Sequence, residues 1–198
     1  MTASGLSGPR GGESQAVSDT LERDSSLISA EYRRMQQTLH ENPNYGVASV
    51  EHAPLVAQVV ESLGVKELLD YGAGKGRLGI ELQKYVRRSL RIRHYDPAIA
   101  KWSDAPPPSE FVACIDVLEH IEPDRLDNVL DDLKRVTARA AMFTVHVGPA
   151  GKILSDGRNA HLIQQPPDWW LPRILARFEL VTFNRLRNGF WVGVEPKT

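Results

Sequence analysis

The chain of 198 residues holds a single cysteine, so no disulfide can form within it. That residue, Cys114, sits in the apolar run Phe111-Val112-Ala113-Cys114-Ile115, which reads as a buried strand and speaks against a nucleophilic or metal-binding thiol. No segment approaches the ~20 consecutive apolar residues of a membrane span, and the opening Met1-Thr2-Ala3-Ser4-Gly5 carries no apolar leader. A cytoplasmic protein without membrane contact is expected. Neither sign of charge dominates: 24 Lys and Arg against 25 Asp and Glu leave a formal net charge of −1, which removes any global attraction to nucleic acid. A local basic groove is still compatible with that balance. Lys84, Arg87, Arg88, Arg91, Arg93 and His94 form either such a groove or the solvated end of a helix leading into a strand.

What is present falls into two parts. Residues 1–26 are rich in Gly, Ser and charge and have no hydrophobic period, so they read as a disordered tail. Residues 27–198 are long enough for one domain with a substantial core, residues 27–64 supplying N-terminal helices and 65–198 a sheet core. Pro54 opens a helix with Leu55, Val56, Val59, Val60 and Leu63 on one face, and Gly64 stops it. Strands then follow at Lys66–Asp70, Ile92–Asp96, Phe111–Ile115 and Ala140–Val147, separated by a helix presenting Leu78, Leu82, Tyr85 and Val86 and by one starting at Pro123. These strands are continuous apolar runs, as required where helices cover both sheet faces. The pattern is a doubly wound, mostly parallel α/β sheet. Phe178–Phe183 and Phe190–Val194, joined through Asn188-Gly189, close it as an antiparallel hairpin.

The most informative segment is Glu67-Leu68-Leu69-Asp70-Tyr71-Gly72-Ala73-Gly74-Lys75-Gly76, a strand that ends in a carboxylate and breaks into alternate glycines. Such a turn tolerates positive φ and lets a small ligand reach backbone N–H groups. Arg77 stands where a dinucleotide fingerprint needs its third glycine, and the phosphate-binding G-x-x-x-x-G-K-S/T pattern is absent.

Together with Tyr95-Asp96-Pro97, Ser103-Asp104-Ala105, the stretch Asp116-Val117-Leu118-Glu119-His120-Ile121 and the terminal hairpin, this segment resembles class I S-adenosylmethionine-dependent methyltransferases, in particular small-molecule and ubiquinone-pathway members common in bacterial and phage genomes. The likeness runs from about Tyr45 to the C-terminus. It implies a Rossmann-like methyltransferase fold and S-adenosylmethionine as methyl donor. Gly72, Gly74 and Gly76 would approach the methionine portion and Asp70 its ammonium, while Asp96 would clamp the ribose hydroxyls or, alternatively, organise an Asp-Pro turn. Asp104 would accept from the adenine amino group or serve as an ordinary turn residue, and Asp116 is grouped with the cofactor contacts. The chain departs from the family between Asp96 and Phe111, where the short span and Ala105-Pro106-Pro107-Pro108 leave little room for the usual helix and third strand, so that this strand is expected to be missing or vestigial.

Methyl transfer from a sulfonium requires orientation and, where needed, removal of an acceptor proton. Glu119, His120 and His161 are the expected catalytic groups, with Trp169 and Trp170 either as walls of the acceptor site or as the buried face of a helix. Asp116, Glu119, His120 and His161 also form a set able to hold a divalent metal, as the resemblance implies for relatives that methylate a hydroxyl; the metal-free version is the expectation here. The expected reaction is transfer to oxygen or nitrogen of a small molecule. The alternatives are a non-catalytic nucleotide-binding module, an RNA-terminal methyltransferase and a NAD-dependent oxidoreductase. The oligomeric state is not legible in the sequence.

Overall fold

The computed structural model describes Met1, residues 26–47 and residues 49–198. The tail expected over residues 1–26 therefore lies almost wholly outside the described residues. At its end, the Ser26 carbonyl accepts hydrogen bonds from Arg125 and Asn128.

Two helices lead into the sheet, α1 (Ala30–Glu41) and α2 (Ser49–Leu63). Ser29 caps α1, its hydroxyl accepting the Tyr32 N–H at 3.0 Å and so satisfying one of the unpaired donors of the first turn. The sequence predicts that α2 starts at Pro54, but it begins five residues earlier. Proline is tolerated there because it sits just past the first turn, where one ladder bond is lost and the continuing apolar face compensates.

The chain then alternates through β1 (Glu67–Tyr71), α3 (Arg77–Leu82), β2 (Arg91–Tyr95), β3 (Ser109–Ile115), α4 (Leu126–Val136), β4 (Thr137–His146), α5 (Pro167–Leu175), β5 (Phe178–Leu186) and β6 (Gly189–Pro196). The sheet order is β2-β1-β3-β4-β6-β5. β1 to β4 are parallel, β6 runs antiparallel to β4, and β5 antiparallel to β6. Between β2 and β3 lies only a short 3-10 turn, Ala100–Trp102, followed by the proline run. Among the described residues the third strand is missing, the stronger of the two outcomes expected, and β2 forms the sheet edge.

Alternate residues of the central strands feed two cores. Val112 and Cys114 face α4 and α5 on one side, with Leu130, Leu133, Trp170 and Ile174, while Phe111, Ala113 and Ile115 face α2 and α3 on the other, with Val56, Val60 and Leu82. Each of the buried Val, Leu, Ile and Phe side chains among them contributes about 1.5–3 kcal/mol. A third, smaller cluster lies apart from the sheet: Tyr32 and Met35 of α1 pack on Leu154 and Ala160 of the segment after β4.

Two details differ from the sequence reading. α3 ends at Leu82, so Tyr85 is left largely exposed instead of on its buried face. The hairpin turn is Arg187-Asn188, since Gly189 already pairs with His146 of β4 and Leu186 of β5. Glycine is required at 189 by close approach: a Cβ there would lie 2.1 Å from the Val145 carbonyl oxygen. Among the described residues no helix is long and apolar enough to cross a membrane.

Candidate active site

The carboxyl ends of β1 to β4 open into a cavity of about 380 Å³, roofed by α1, the loop after it and residues 149–152. This is where a doubly wound sheet places ligands, because the strand order reverses there and the loops diverge.

On the β1/β2 side the alternate glycines do what their spacing predicts. Gly72, Gly74 and Gly76 all take positive φ (77°, 52° and 68°), and Gly72 and Gly74 line the cavity while Gly76 caps α3 behind it. The turn is pinned by Asp96, whose Oδ2 accepts the Gly74 N–H at 2.8 Å and whose Oδ1 accepts the Ala98 N–H at 2.9 Å. Asp96 thus organises the turn, and its carboxylate also lines the cavity. Asp70 also lines the cavity and is almost wholly buried; burial pushes its carboxyl up, opposed by a 3.1 Å contact to His94 Nδ1. Asp104 is exposed and stands outside the cavity lining. The structure therefore does not gather it with Asp70 and Asp96 in the lining.

On the β3/β4 side, Asp116 ends β3 with φ of 53°, an unusual conformation that aspartate tolerates better than most residues. It accepts the Thr144 hydroxyl at 2.6 Å and lies 3.4 Å from His52 Nε2. Burial opposes its ionisation, but the hydrogen bonds from His52 and Thr144 outweigh burial and hold the carboxyl below its usual range. Its partner His52 is pushed up by that same bond.

Glu119 and His120 follow on a single 3-10 turn, Leu118–His120. Glu119 is 0 % exposed; its Oε1 accepts the His146 N–H at 3.0 Å, whereas Oε2 has no partner among the described residues. Burial, reinforced by the charge of Asp116, drives its carboxyl well above the ordinary range and so favours the protonated form.

His120 Nδ1 lies 2.8 Å from the Ala160 carbonyl, and His161 Nδ1 lies 2.7 Å from that of Gly148. Carbonyls only accept, so both Nδ1 atoms carry hydrogen and both Nε2 atoms present lone pairs when the rings are neutral. Neutral they are. Burial pushes His120 down to about 4, and it lowers His161 as well. The rings meet edge to face at 4.7 Å, and His146 packs on His161 at 4.9 Å. Asn159 fixes this loop by accepting the N–H groups of Ala150 and His161.

The ligand atoms of Glu119, His120 and His161 all lie within 4.8 Å of one another. With both Nδ1 atoms anchored to carbonyls and Glu119 Oε2 unpartnered, this trio fits the donor set and outer-shell support of a divalent cation. Asp116 does not join it, because its oxygens turn to Thr144 and His52.

Trp169 and Trp170 are not walls of the cavity. Trp170 is fully buried under the sheet with its indole N–H donating to the Gln165 carbonyl, and Trp169 is covered by the Arg173 guanidinium at 3.6 Å. Cys114 is buried in the core, which raises its thiol and leaves it inert, as its sequence context indicates. The basic cluster is no groove: Arg88 pairs with Glu61, Arg91 and Arg93 with Glu67, and Lys84 with Glu81, at the opposite end of β2 from the cavity.

Sequence reasoning missed the roof. Tyr32, Gln36, His40 and Tyr45 all line the cavity. A chain of hydrogen bonds runs from the Tyr45 hydroxyl to Gln36 Oε1, from Gln36 Nε2 to the Tyr32 hydroxyl, and from that hydroxyl to the His120 carbonyl. One signal was available: all six histidines of the chain line the cavity or contact a residue that does.

No protein-family model and no curated protein sequence matches the chain. Solved structures do. A Burkholderia thailandensis 1,6-didemethyltoxoflavin-N1-methyltransferase, with 1,6-didemethyltoxoflavin and S-adenosylhomocysteine bound, superposes with a TM-score of 0.60 at 16% identity, covering 87% of this chain and 93% of its own. The N-methyltransferase NodS of Bradyrhizobium japonicum, in complex with S-adenosylhomocysteine, gives 0.57 at 10% identity over 84% of this chain and 98% of its own. A small RNA methyltransferase gives 0.58 at 10% identity over 75% of this chain but only 25% of its own. The chain therefore has the Rossmann-like fold of the S-adenosylmethionine-dependent methyltransferases.

Proposed function

We propose that the protein is an S-adenosylmethionine-dependent methyltransferase acting on an oxygen or nitrogen of a small molecule. The observation that carries this reading is the two-ended cavity. A glycine turn with Asp70 and Asp96 occupies one end, and a pair of neutral imidazoles with free Nε2 lone pairs occupies the other. When bound, S-adenosylmethionine would supply an activated methyl on a sulfonium centre. Gly72 and Gly74 give backbone access for its methionine portion, and the Asp96 carboxylate gives acceptors for two hydroxyls.

At the other end His161 Nε2 takes the acceptor's proton. It is the better base of the two, since His120 is held down to about 4. His120 orients the acceptor through its own Nε2, and the unpartnered Glu119 Oε2 offers a further hydrogen-bonding group, a donor in the protonated form that burial favours. A small acceptor is favoured because the basic cluster is ion-paired away from the cavity and offers no track for a nucleic-acid backbone.

A second reading is supported by the 4.8 Å clustering of Glu119, His120 and His161: these residues hold a divalent cation, which would polarise an acceptor hydroxyl. Calorimetry with S-adenosylhomocysteine, with NAD as control, tests the donor; tight binding of the former and none of the latter is expected. A labelled-methyl screen with and without chelator then separates the two acceptor mechanisms. Turnover that survives chelation supports the imidazole base, and turnover abolished by chelator and restored by added metal supports the cation.

A further inference from the structure

His94 lies outside the cavity lining, yet the fold gives up ordinary helix sequence to accommodate it. Its ring packs against Trp102, centroids 4.6 Å apart and 33° between planes, and the Lys101 ammonium covers that indole at 3.8 Å. On the α3 side, glycine in mid-helix costs roughly 1 kcal/mol relative to alanine. Gly79 occupies such a position because a Cβ there would lie 2.7 Å from His94 Cε1, and a Cβ at Gly76 would lie 2.6 Å from the Trp102 ring. Two glycines therefore open a slot for two stacked rings. Within the slot His94 Nδ1 points at Asp70 Oδ2, 3.1 Å away, across the parallel register that pairs Asp70 with His94. A carboxylate only accepts, so Nδ1–H is the donor in either charge state of the ring.

We infer that His94 is a positioning residue for the methyl donor: held by Gly79 and Trp102, it fixes Asp70 as an oriented, ionised acceptor for a cationic group of the ligand, the ammonium of S-adenosylmethionine. The inference rests on the donor reading proposed above. Asp70 needs such a partner. Burial by itself favours its protonated form, and the nearby charge of Asp96 pushes the same way; His94 is the group that opposes both. A protonated Asp70 would offer a ligand ammonium no charge. Among the described residues, Asp116 is the other cavity carboxylate paired with an imidazole outside the lining, that of His52.

The test is calorimetry with S-adenosylhomocysteine, which keeps the ammonium and removes turnover from the measurement. His94→Phe fills the slot but deletes the donor, and affinity should fall about tenfold, with binding that now strengthens as pH rises, because the unsupported Asp70 ionises later. His94→Asn, which keeps an N–H near the Nδ1 position, should recover most of the affinity. In an Asp70→Asn background His94→Phe should cost nothing further, since the group it serves is gone. Should His94→Phe fail to fold, His94→Leu removes the donor in a smaller side chain and carries the same expectations. Wild-type affinity in a folded His94→Phe or His94→Leu protein, or losses that add to those of Asp70→Asn, would overturn the inference and leave the donor reading intact. Absence of S-adenosylhomocysteine binding by the wild-type chain would overturn both.

Discussion

At the β1/β2 end of the cavity the polar groups stand on two adjacent parallel strands and the turns that leave them, so ladder hydrogen bonds set the places of Asp70 and Asp96. At the β3/β4 end the groups come from segments scattered along the chain. Glu119 and His120 sit after β3, His146 ends β4, His161 belongs to a long loop, and the roof over them is α1, some 80 residues upstream of His120. The first end is held by backbone geometry, the second by side-chain packing and single hydrogen bonds. A site of the first kind tolerates changes in its neighbours and binds a common ligand in a fixed pose. One of the second kind can be re-formed for a different acceptor without disturbing the sheet.

That contrast is open to direct attack. The largest effect should come from His161→Ala, which removes the proposed base: turnover is expected to fall 10²–10⁴-fold while S-adenosylhomocysteine affinity stays within about twofold, as read by steady-state kinetics and calorimetry on the folded variant. Equal losses in both would show that the two ends are one unit.

Acid should loosen the β3/β4 end first. His120 is held near 4 in the folded protein against about 6.5 in the unfolded chain, so the unfolded state binds the extra proton between those values. Stability is then lost as pH falls from about 6.5 to about 4 and does not change further on this account below that, for a total of about 3 kcal/mol. His120→Gln should flatten that part of a urea-denaturation pH profile. Burial lowers His161 as well, so an activity that depends on this proposed base should decline on the acid side of neutrality.

At the β1/β2 end Asp96→Ala should weaken S-adenosylmethionine binding by about 1.5–3 kcal/mol, the usual cost of losing hydrogen bonds to a charged group. It should leave the acid limb of the activity profile in place, because the imidazoles do not touch it. The smallest effect is expected at the far end of β2, where Arg88→Ala breaks the exposed pair with Glu61. Melting temperature and ligand affinity should both be unchanged within error.

The same division explains what the sequence could be made to say. Asp70, Gly72, Gly74 and Asp96 were legible because their chemistry is contiguous with strand ends, and the missing third strand was legible because proline cannot donate to a ladder. Glu119, His120 and His161 were legible as residue types. Their convergence was not, since it depends on the Asn159 side chain and on two backbone carbonyls that hydrophobic periodicity does not report. Trp169 and Trp170 misled because aromatic residues near a site serve packing as readily as recognition. The roof residues Tyr32, Gln36 and Tyr45 were invisible because α1 has a weak apolar pattern, and its buried face is made partly of polar groups that satisfy one another.

The third hydrophobic cluster, Tyr32, Met35, Leu154 and Ala160, has a kinetic consequence. It brings together segments more than a hundred residues apart with far less buried surface than either sheet core, so closing that long loop costs chain entropy while few contacts reward it. α1 and residues 150–162 should thus come apart as one cooperative unit at a free energy below that of global unfolding, and their amides should exchange with solvent together, ahead of those in β1, β3 and β4. Each opening breaks the Tyr32 bond to the His120 carbonyl and uncovers the cavity. That local event then widens the route by which a ligand seated beneath the roof can leave.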